Sequence, residues 1–321
     1  MMKKFKLLAP ALFLLLVSLV VFAGGAAAKD KITVATITYT SEIEWFYILE
    51  QNYKAVAKEL GMELIQLDPN ANPQTQVDMI EQMTQRGVDA ILVSPVDPQV
   101  IKAAVEEAMA KGIFVLIQGQ ERKTVPWSTA NFGYNENQMG SLTGEIAAAG
   151  VKAKYPDAKV IKLAVLGDPG WASSDVRMGG AKEALMKNLP GVKVDVVIDS
   201  VMGATIETAT NVIESALQQH PDLRVVVGIN DDAAIGAVGA MQSQGISVAE
   251  TCIAGAGNNK GTWPYIDRGE VLGSVDLNHR GTAEVALNAV AKLAKGEKIP
   301  GMMYIDMIKV TKENLGNWYK K

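Results

Sequence analysis

Gly87-Val88-Asp89-Ala90-Ile91-Leu92-Val93-Ser94-Pro95 decides the fold of this chain. Gly87 ends a preceding helix, 90–94 reads as a short strand, and a helix over 98–111 then opens at Pro98 and stops at Gly112. A further strand follows over 113–118. The same alternation runs upstream: a strand over 32–37, a helix over 44–60 stopped by Gly61, a strand over 62–67, a turn at Asp68-Pro69-Asn70, and a helix over 73–86. Three βα units with short, glycine-marked connections predict a parallel sheet with right-handed crossovers.

The pattern restarts downstream. An extended segment at 128–133 precedes a helix over 136–149. Strands over 160–166, 192–198, 223–228 and 251–254 then alternate with helices over 174–188, 205–219 and 231–244. A helix near 262–268, a strand over 271–275, a long helix over 280–295 and one last strand over 304–310 complete the chain. The count predicts an α/β protein of two doubly wound parallel-sheet lobes.

Bulk properties narrow the function. Met1-Met2-Lys3-Lys4-Phe5-Lys6 is basic, 7–23 carries no charge, and Ala26-Ala27-Ala28 supplies small residues before Lys29-Asp30. That order predicts a secretory leader over 1–28, cleaved after Ala28 or alternatively after Ala23. No cysteine is present there to accept a lipid, so the expected product is periplasmic and not a lipoprotein. Removing Lys3, Lys4 and Lys6 from the 31 basic residues leaves 28 against 35 acidic ones, a formal charge of −7. Such a chain is a poor partner for nucleic acid, whose phosphates need clustered Lys and Arg. Cys252 is the single cysteine and sits in a strand-like run, so no internal disulfide is expected.

The sequence shows no catalytic signature, and none is expected to act: there is no G-x-x-x-x-G-K-[ST] loop, no G-x-S-x-G elbow and no H-E-x-x-H. Gly255-Ala256-Gly257 has Lys260 where a dinucleotide loop needs its third glycine. Two separated histidines, His220 and His279, and one cysteine do not make a zinc site. Asn230-Asp231-Asp232 reads as a helix start rather than a metal site. No cofactor and no metal are therefore expected.

What remains lies at the carboxyl ends of predicted strands, where open parallel sheets bind ligands. Tyr39 and Glu44-Trp45-Phe46 follow the first strand, and Gln118 with Gln120 follow the fourth. Trp171 and Arg177 flank the turn after 160–166, Asn230 follows 223–228, and Asp276 and Asn278 follow 271–275. Aromatic faces cover C–H groups and amides satisfy hydroxyls as both donors and acceptors, a set suited to a neutral polyhydroxylated ligand.

Ordered motifs carry a resemblance over essentially the whole chain after the leader. They are Trp45-Phe46 ahead of Lys58-Glu59-Leu60-Gly61, the 87–95 segment, and Pro169-Gly170 with Arg177. His220-Pro221-Asp222 leading to Asn230-Asp231, Lys295-Gly296-Glu297-Lys298-Ile299-Pro300, and Val310-Thr311-Lys312-Glu313-Asn314 complete them. With these the chain resembles the periplasmic ribose/galactose-type sugar-binding proteins of ABC importers, of the type I periplasmic binding protein family. The resemblance implies a hinge of three crossings, near 132–137, 275–280 and 304–308. It divides the chain into an N-terminal lobe of 29–134 plus 278–306 and a C-terminal lobe of 135–277 plus 307–321. It also implies that Phe46 stacks on a sugar beside Trp45, and that Arg177 and Asn230 grip its oxygens. The partners it implies are a small sugar or polyol and a membrane ABC permease, or alternatively a chemoreceptor or sensor. The chain departs from the family pattern at Gly119-Gln120, where an Asp-Arg pair is usual. It departs again at Gly257 beside Asn258, and at Tyr134 before Asn135, where acidic residues are usual. These departures leave a polyol, a furanosyl signal or a nucleoside-like or aromatic solute as alternative ligands.

Overall fold

The computed structural model describes residues 31–169 and 171–318. The expected leader with its cleavage positions lies outside these residues, as do Gly170 and the side chains of Glu44 and Ala172. In chain order the elements are β1 (Thr33–Ile37), α1 (Glu44–Glu59), β2 (Glu63–Leu67), α2 (Pro73–Arg86), β3 (Ala90–Val93), α3 (Pro98–Ala110), β4 (Phe114–Gln118) and β5 (Ala130–Gly133). Then come α4 (Glu136–Lys154), β6 (Val160–Gly167), α5 (Ala172–Asn188), β7 (Lys193–Met202), α6 (Ile206–Gln219), β8 (Val225–Gly228), α7 (Asp231–Ser243) and β9 (Cys252–Ala254). The last are α8 (Trp263–Asp267), β10 (Gly273–Asp276), α9 (His279–Ala294), β11 (Met302–Tyr304) and β12 (Ile308–Thr311).

Two six-stranded sheets form, in the orders β11-β5-β4-β3-β1-β2 and β12-β10-β9-β8-β6-β7. Successive side chains in a strand point to opposite faces, and the buried runs obey this. Val34, Leu92 and Leu116 face α1 and α9, while Ala35, Ile91, Val93, Val115 and Ile117 face Ile80 and Met83 of α2 and Ile101 and Val105 of α3. In the second sheet Leu163, Val165, Val225 and Val227 face α4 and α5, and Ala164, Leu166, Val226 and Ile253 face α6 and α7. Strands apolar on both faces need helices on both sides, which is why the sheets are doubly wound.

The expected single last strand over 304–310 is two strands in different sheets. β11 pairs parallel with β5, and β12 pairs antiparallel with β10. The direction follows from the path. β10 leaves the second sheet toward the crossing, whereas β12 enters that sheet from it, so the two run oppositely. The chain passes between the sheets three times, after β5, after β10 and after β11. The crossings are tied together. Tyr134 and Thr282 share a hydroxyl hydrogen bond of 2.9 Å, Asn278 Nδ2 donates to the Asp306 carbonyl at 2.9 Å, and the Ile305 N–H donates to the Gly133 carbonyl at 2.9 Å.

Glycine decides one packing that matters below. A methyl on Gly140 or Gly144 of α4 would overlap the carbonyl of Arg177 or Ala181 in α5, and one on Gly180 of α5 would overlap the Asn137 carbonyl. The two helices thus touch backbone to backbone. Overpacking of this kind costs about 1–3 kcal/mol or more, because backbone cannot move aside as a side chain can. Gly144→Ala should therefore lower the unfolding free energy, measured by urea denaturation, by that amount. Gly179→Ala, whose methyl meets nothing within 4 Å, should be neutral or stabilising by up to about 1 kcal/mol. Equal stability of the two variants would show that glycine does not set the α4–α5 spacing.

Candidate functional site

The strand order reverses beside β1 and beside β6, and side chains converge at the carboxyl ends of both places, as expected for open α/β sheets. In the first lobe an aromatic group forms beyond β1. Tyr39 stacks on Phe46 with centroids 5.6 Å apart and planes 14° apart, and Trp45 meets Phe46 edge-on at 4.8 Å. Trp45 also meets Tyr134 edge-on at 6.2 Å and lies 5.2 Å from the His279 ring. Offset-stacked and edge-to-face pairs are the arrangements that ring quadrupoles favour. This group lines a cavity of about 260 Å³ with Gln118, Gly119 and Gln120. The Gln118 side-chain Oε1 accepts the Ser94 hydroxyl at 2.7 Å, which fixes the orientation of the amide.

A larger cavity, about 470 Å³, lies against Trp45 as well. Its walls are Trp45, Gln51 and Asn52 from α1, Asn258 and Trp263 from the second lobe, and Asp276 and Asn278 at the second crossing. The Asp276 carboxylate is held by N–H donors: Asn258 Nδ2 at 2.7 Å and Trp318 Nε1 at 3.1 Å on one oxygen, and the Asn278 backbone at 2.7 Å on the other. Trp263 Nε1 donates to Asn258 Oδ1 at 2.9 Å, so both ends of that amide are committed. Among the described residues the buried Trp45 indole N–H has no hydrogen-bond partner, and it is a donor that a ligand oxygen would satisfy.

At the β6/β8 reversal Arg177 spans the gap between α5 and the end of β8. Its Nε and Nη2 reach Glu136 Oε2 at 2.8 and 2.6 Å, and Nη1 donates to the Ile229 carbonyl at 2.9 Å. Its guanidinium lies 4.8 Å over the Trp171 ring. Asn230, next to Ile229, caps α7 by accepting the Ala233 N–H at 2.9 Å, and its Nδ2 donates to the Ala204 carbonyl at 2.8 Å. Asn135 caps α4 and Asn278 caps α9 in the same way, the latter with a left-handed backbone at φ +50°.

The sequence-predicted residues thus gather in three groups. Tyr39, Trp45, Phe46, Gln118, Gln120 and Tyr134 meet at the smaller cavity, and Trp45, Asn258, Asp276 and Asn278 at the larger. Arg177 and Trp171 form the third with the Ile229-Asn230 segment, and line neither of these two cavities. Asn135 serves as a helix cap beside them. Sequence reasoning missed Glu136, Trp263 and Trp318. Glu136 carries the ordinary signature of an acid in a first helical turn, and its partner is distant in sequence, so no local pattern identifies the pair.

Burial and neighbouring charge tune two groups. Burial pushes the Tyr134 hydroxyl well above the usual phenol range, and the Asp276 and Glu136 carboxylates push it the same way. Asp231 is fully buried at the start of α7, and burial pushes its carboxyl up to about 6. Hydrogen bonds from Ser274 Oγ and the Asn259 N–H, each 2.6 Å, pull it partly back. Ser274 Oγ in turn accepts the Asn258 N–H at 2.9 Å, so Asp231 supports the loop that presents Asn258 to the larger cavity.

Comparison with known proteins agrees with this fold. A family model described as a periplasmic binding protein domain matches residues 34–298. The Ribose import binding protein RbsB of Bacillus subtilis is 28% identical over 272 residues, covering 84% of each chain. An ABC transporter solute-binding protein from Actinobacillus succinogenes, solved with D-allose bound, superposes with a TM-score of 0.72. It is 24% identical, over 89% of this chain and 100% of that one. One from Bacillus halodurans with bound myo-inositol gives a TM-score of 0.69 at 22% identity, over 90% and 98%.

Asp231 makes stability depend on pH. An ordinary Asp carboxyl ionises near 3.8 and this one near 6. Between those values the fold keeps a proton that the unfolded chain has lost. The contribution is complete below 3.8 and is lost as pH rises through about 6. The difference amounts to about 3 kcal/mol. Urea unfolding of the parent and of Asp231→Asn from pH 4 to 7 should show the parent's advantage shrinking by that amount. A gap that stays constant with pH would mean that Asp231 does not titrate there.

Proposed function

The chain belongs to the periplasmic binding protein domain family, and from that membership we propose that it is the exported solute-binding component of an ABC importer. It captures a small carbohydrate or polyol between two lobes, 29–134 plus 278–306 and 135–277 plus 307–321, which close about the three crossings. The observation that carries this reading is the larger cavity. One wall comes from α1 of the first sheet's lobe, the facing wall from Asn258 and Trp263 of the second, and the floor from the crossing itself. A ligand held there contacts both lobes and so favours the closed form over the open one.

On this reading the aromatic group covers the C–H face of the ligand and the amides meet its hydroxyls, while Arg177, which lines neither cavity in this structure, reaches the ligand when the lobes close. The ligand leaves unchanged, and a membrane permease reads the closed face; a chemoreceptor would read the same face. The sugar in the Actinobacillus protein and the cyclic polyol in the Bacillus halodurans protein support polyhydroxylated compounds as the first to test.

Purified protein should gain thermal stability from at least one member of a panel of hexoses, pentoses, inositols and other polyols. A ligand at 100 times its dissociation constant stabilises by about 2.7 kcal/mol. Trp45→Ala should weaken that ligand at least about tenfold by calorimetry, or about 1.4 kcal/mol, because the indole walls both cavities. Unaltered affinity in Trp45→Ala would place the site elsewhere, and chemical turnover of the ligand would refute a binding-only role.

A further inference from the structure

We propose that Glu136 sets the charge preference of the ligand site: by pairing with Arg177 it makes the site accept uncharged polyhydroxy ligands and refuse carboxylated ones such as uronates. The inference rests on the ligand reading above and refines it.

An unpaired arginine in a cleft is a carboxylate receptor, since its planar N–H fork matches two carboxylate oxygens. Here the Nε and Nη2 edge is already taken by Glu136 Oε2, at 2.8 and 2.6 Å. Nη1 is anchored to the Ile229 carbonyl and the Trp171 ring covers one face. A guanidinium has five N–H donors, so this arrangement leaves N–H groups to serve a hydroxyl while its charge is matched. The pair is well shielded from solvent, with side chains 12% and 23% exposed for Arg177 and Glu136.

The position of Glu136 reinforces the arrangement. It is the first residue of α4, capped by Asn135, and a negative charge is favoured at a helix N-terminus. The backbone contact of α4 with α5 at Gly140 and Gly180 holds the carboxylate against Arg177. A second carboxylate, Asp276, lies near enough to act with Glu136 on the Tyr134 hydroxyl, and its N–H partners are neutral. Among the cations nearby, Arg280 is paired with Glu59 and Glu284, and Lys260 stands exposed at the rim of the larger cavity. The carboxylates therefore repel an incoming acid that Arg177 alone would attract.

The test compares the full-length parent, Glu136→Gln, Arg177→Gln and the double variant. D-galactose and D-galacturonate are the paired probes, followed by calorimetry. Inorganic sulfate is a separate probe, followed on the Arg177 Nε–H resonance. In Glu136→Gln the affinity for galacturonate relative to galactose should rise at least about tenfold at low salt. The gain should vanish in the double variant, which lacks the guanidinium. Sulfate should perturb the Arg177 resonance of Glu136→Gln at a concentration at least about tenfold lower than in the parent. An unchanged ratio, a gain that survives loss of Arg177, or a parent that already prefers galacturonate overturns the proposal. If the parent binds no sugar or polyol, the ligand reading fails by itself and the sulfate comparison still decides the role of Glu136: equal sulfate sensitivity in the two proteins overturns it. Glu136→Gln keeps the shape of the side chain, and its melting point without ligand checks that the fold is intact.

Discussion

The backbone contact between α4 and α5 is the constraint on which the second lobe's half of the site depends. Three glycines, Gly140, Gly144 and Gly180, let the two backbones touch where they stand. One helix starts at the first crossing and the other carries Arg177 away from β6. Their approach brings Glu136 and Arg177 into an ion pair that neither helix specifies alone. A partly buried pair of this kind gains much from good geometry and loses much if one partner is removed. The glycines therefore act on the site electrostatics through distance, without touching a ligand themselves.

The crossings show a second economy. Asn278 caps α9, holds the Asp306 carbonyl of the third crossing, and donates its own N–H to Asp276. Tyr134, from the first crossing, shares its hydroxyl with Thr282 and its ring edge with Trp45. Residues proposed to meet the ligand are thus also parts of the hinge. This couples ligand contact to lobe closure, since a ligand that pulls on Asp276 or Tyr134 pulls on the joints that must bend. It also means that substitutions at Asn230, Asn278 and Asn135 carry the cost of a lost helix cap, about 1 kcal/mol, besides any effect on binding.

The chemistry of the two cavities is complementary. The smaller is walled by rings and the Gln118 and Gln120 amides, and the larger adds Asp276 with its indole and amide donors. Where relatives of the resembled type place an Asp-Arg pair after β4, this chain has Gly119 with φ +70° and Gln120. Two opposite charges are replaced there by a neutral amide, which can still donate and accept but does not discriminate by charge. Charge is instead concentrated at Arg177, Glu136 and Asp276.

The sequence by itself determined the doubly wound architecture, because short strands apolar on both faces and helices stopped by Gly61, Gly87 and Gly112 are local features. It determined the aromatic cluster of the candidate site for the same reason: Tyr39, Trp45 and Phe46 follow one strand within a few residues, so their convergence needs no distant partner. The last strand was misread because 304–310 is continuous in β propensity, and only the crossing between sheets cuts it into β11 and β12. Glu136, Trp263 and Trp318 came only from the tertiary structure. Their partners, Arg177, Asn258 and Asp276, lie on other elements. Local propensity reports what a residue does to its own backbone, whereas an ion pair or an indole hydrogen bond across elements depends on how closely those elements pack, and here glycine contacts and the three crossings set that distance.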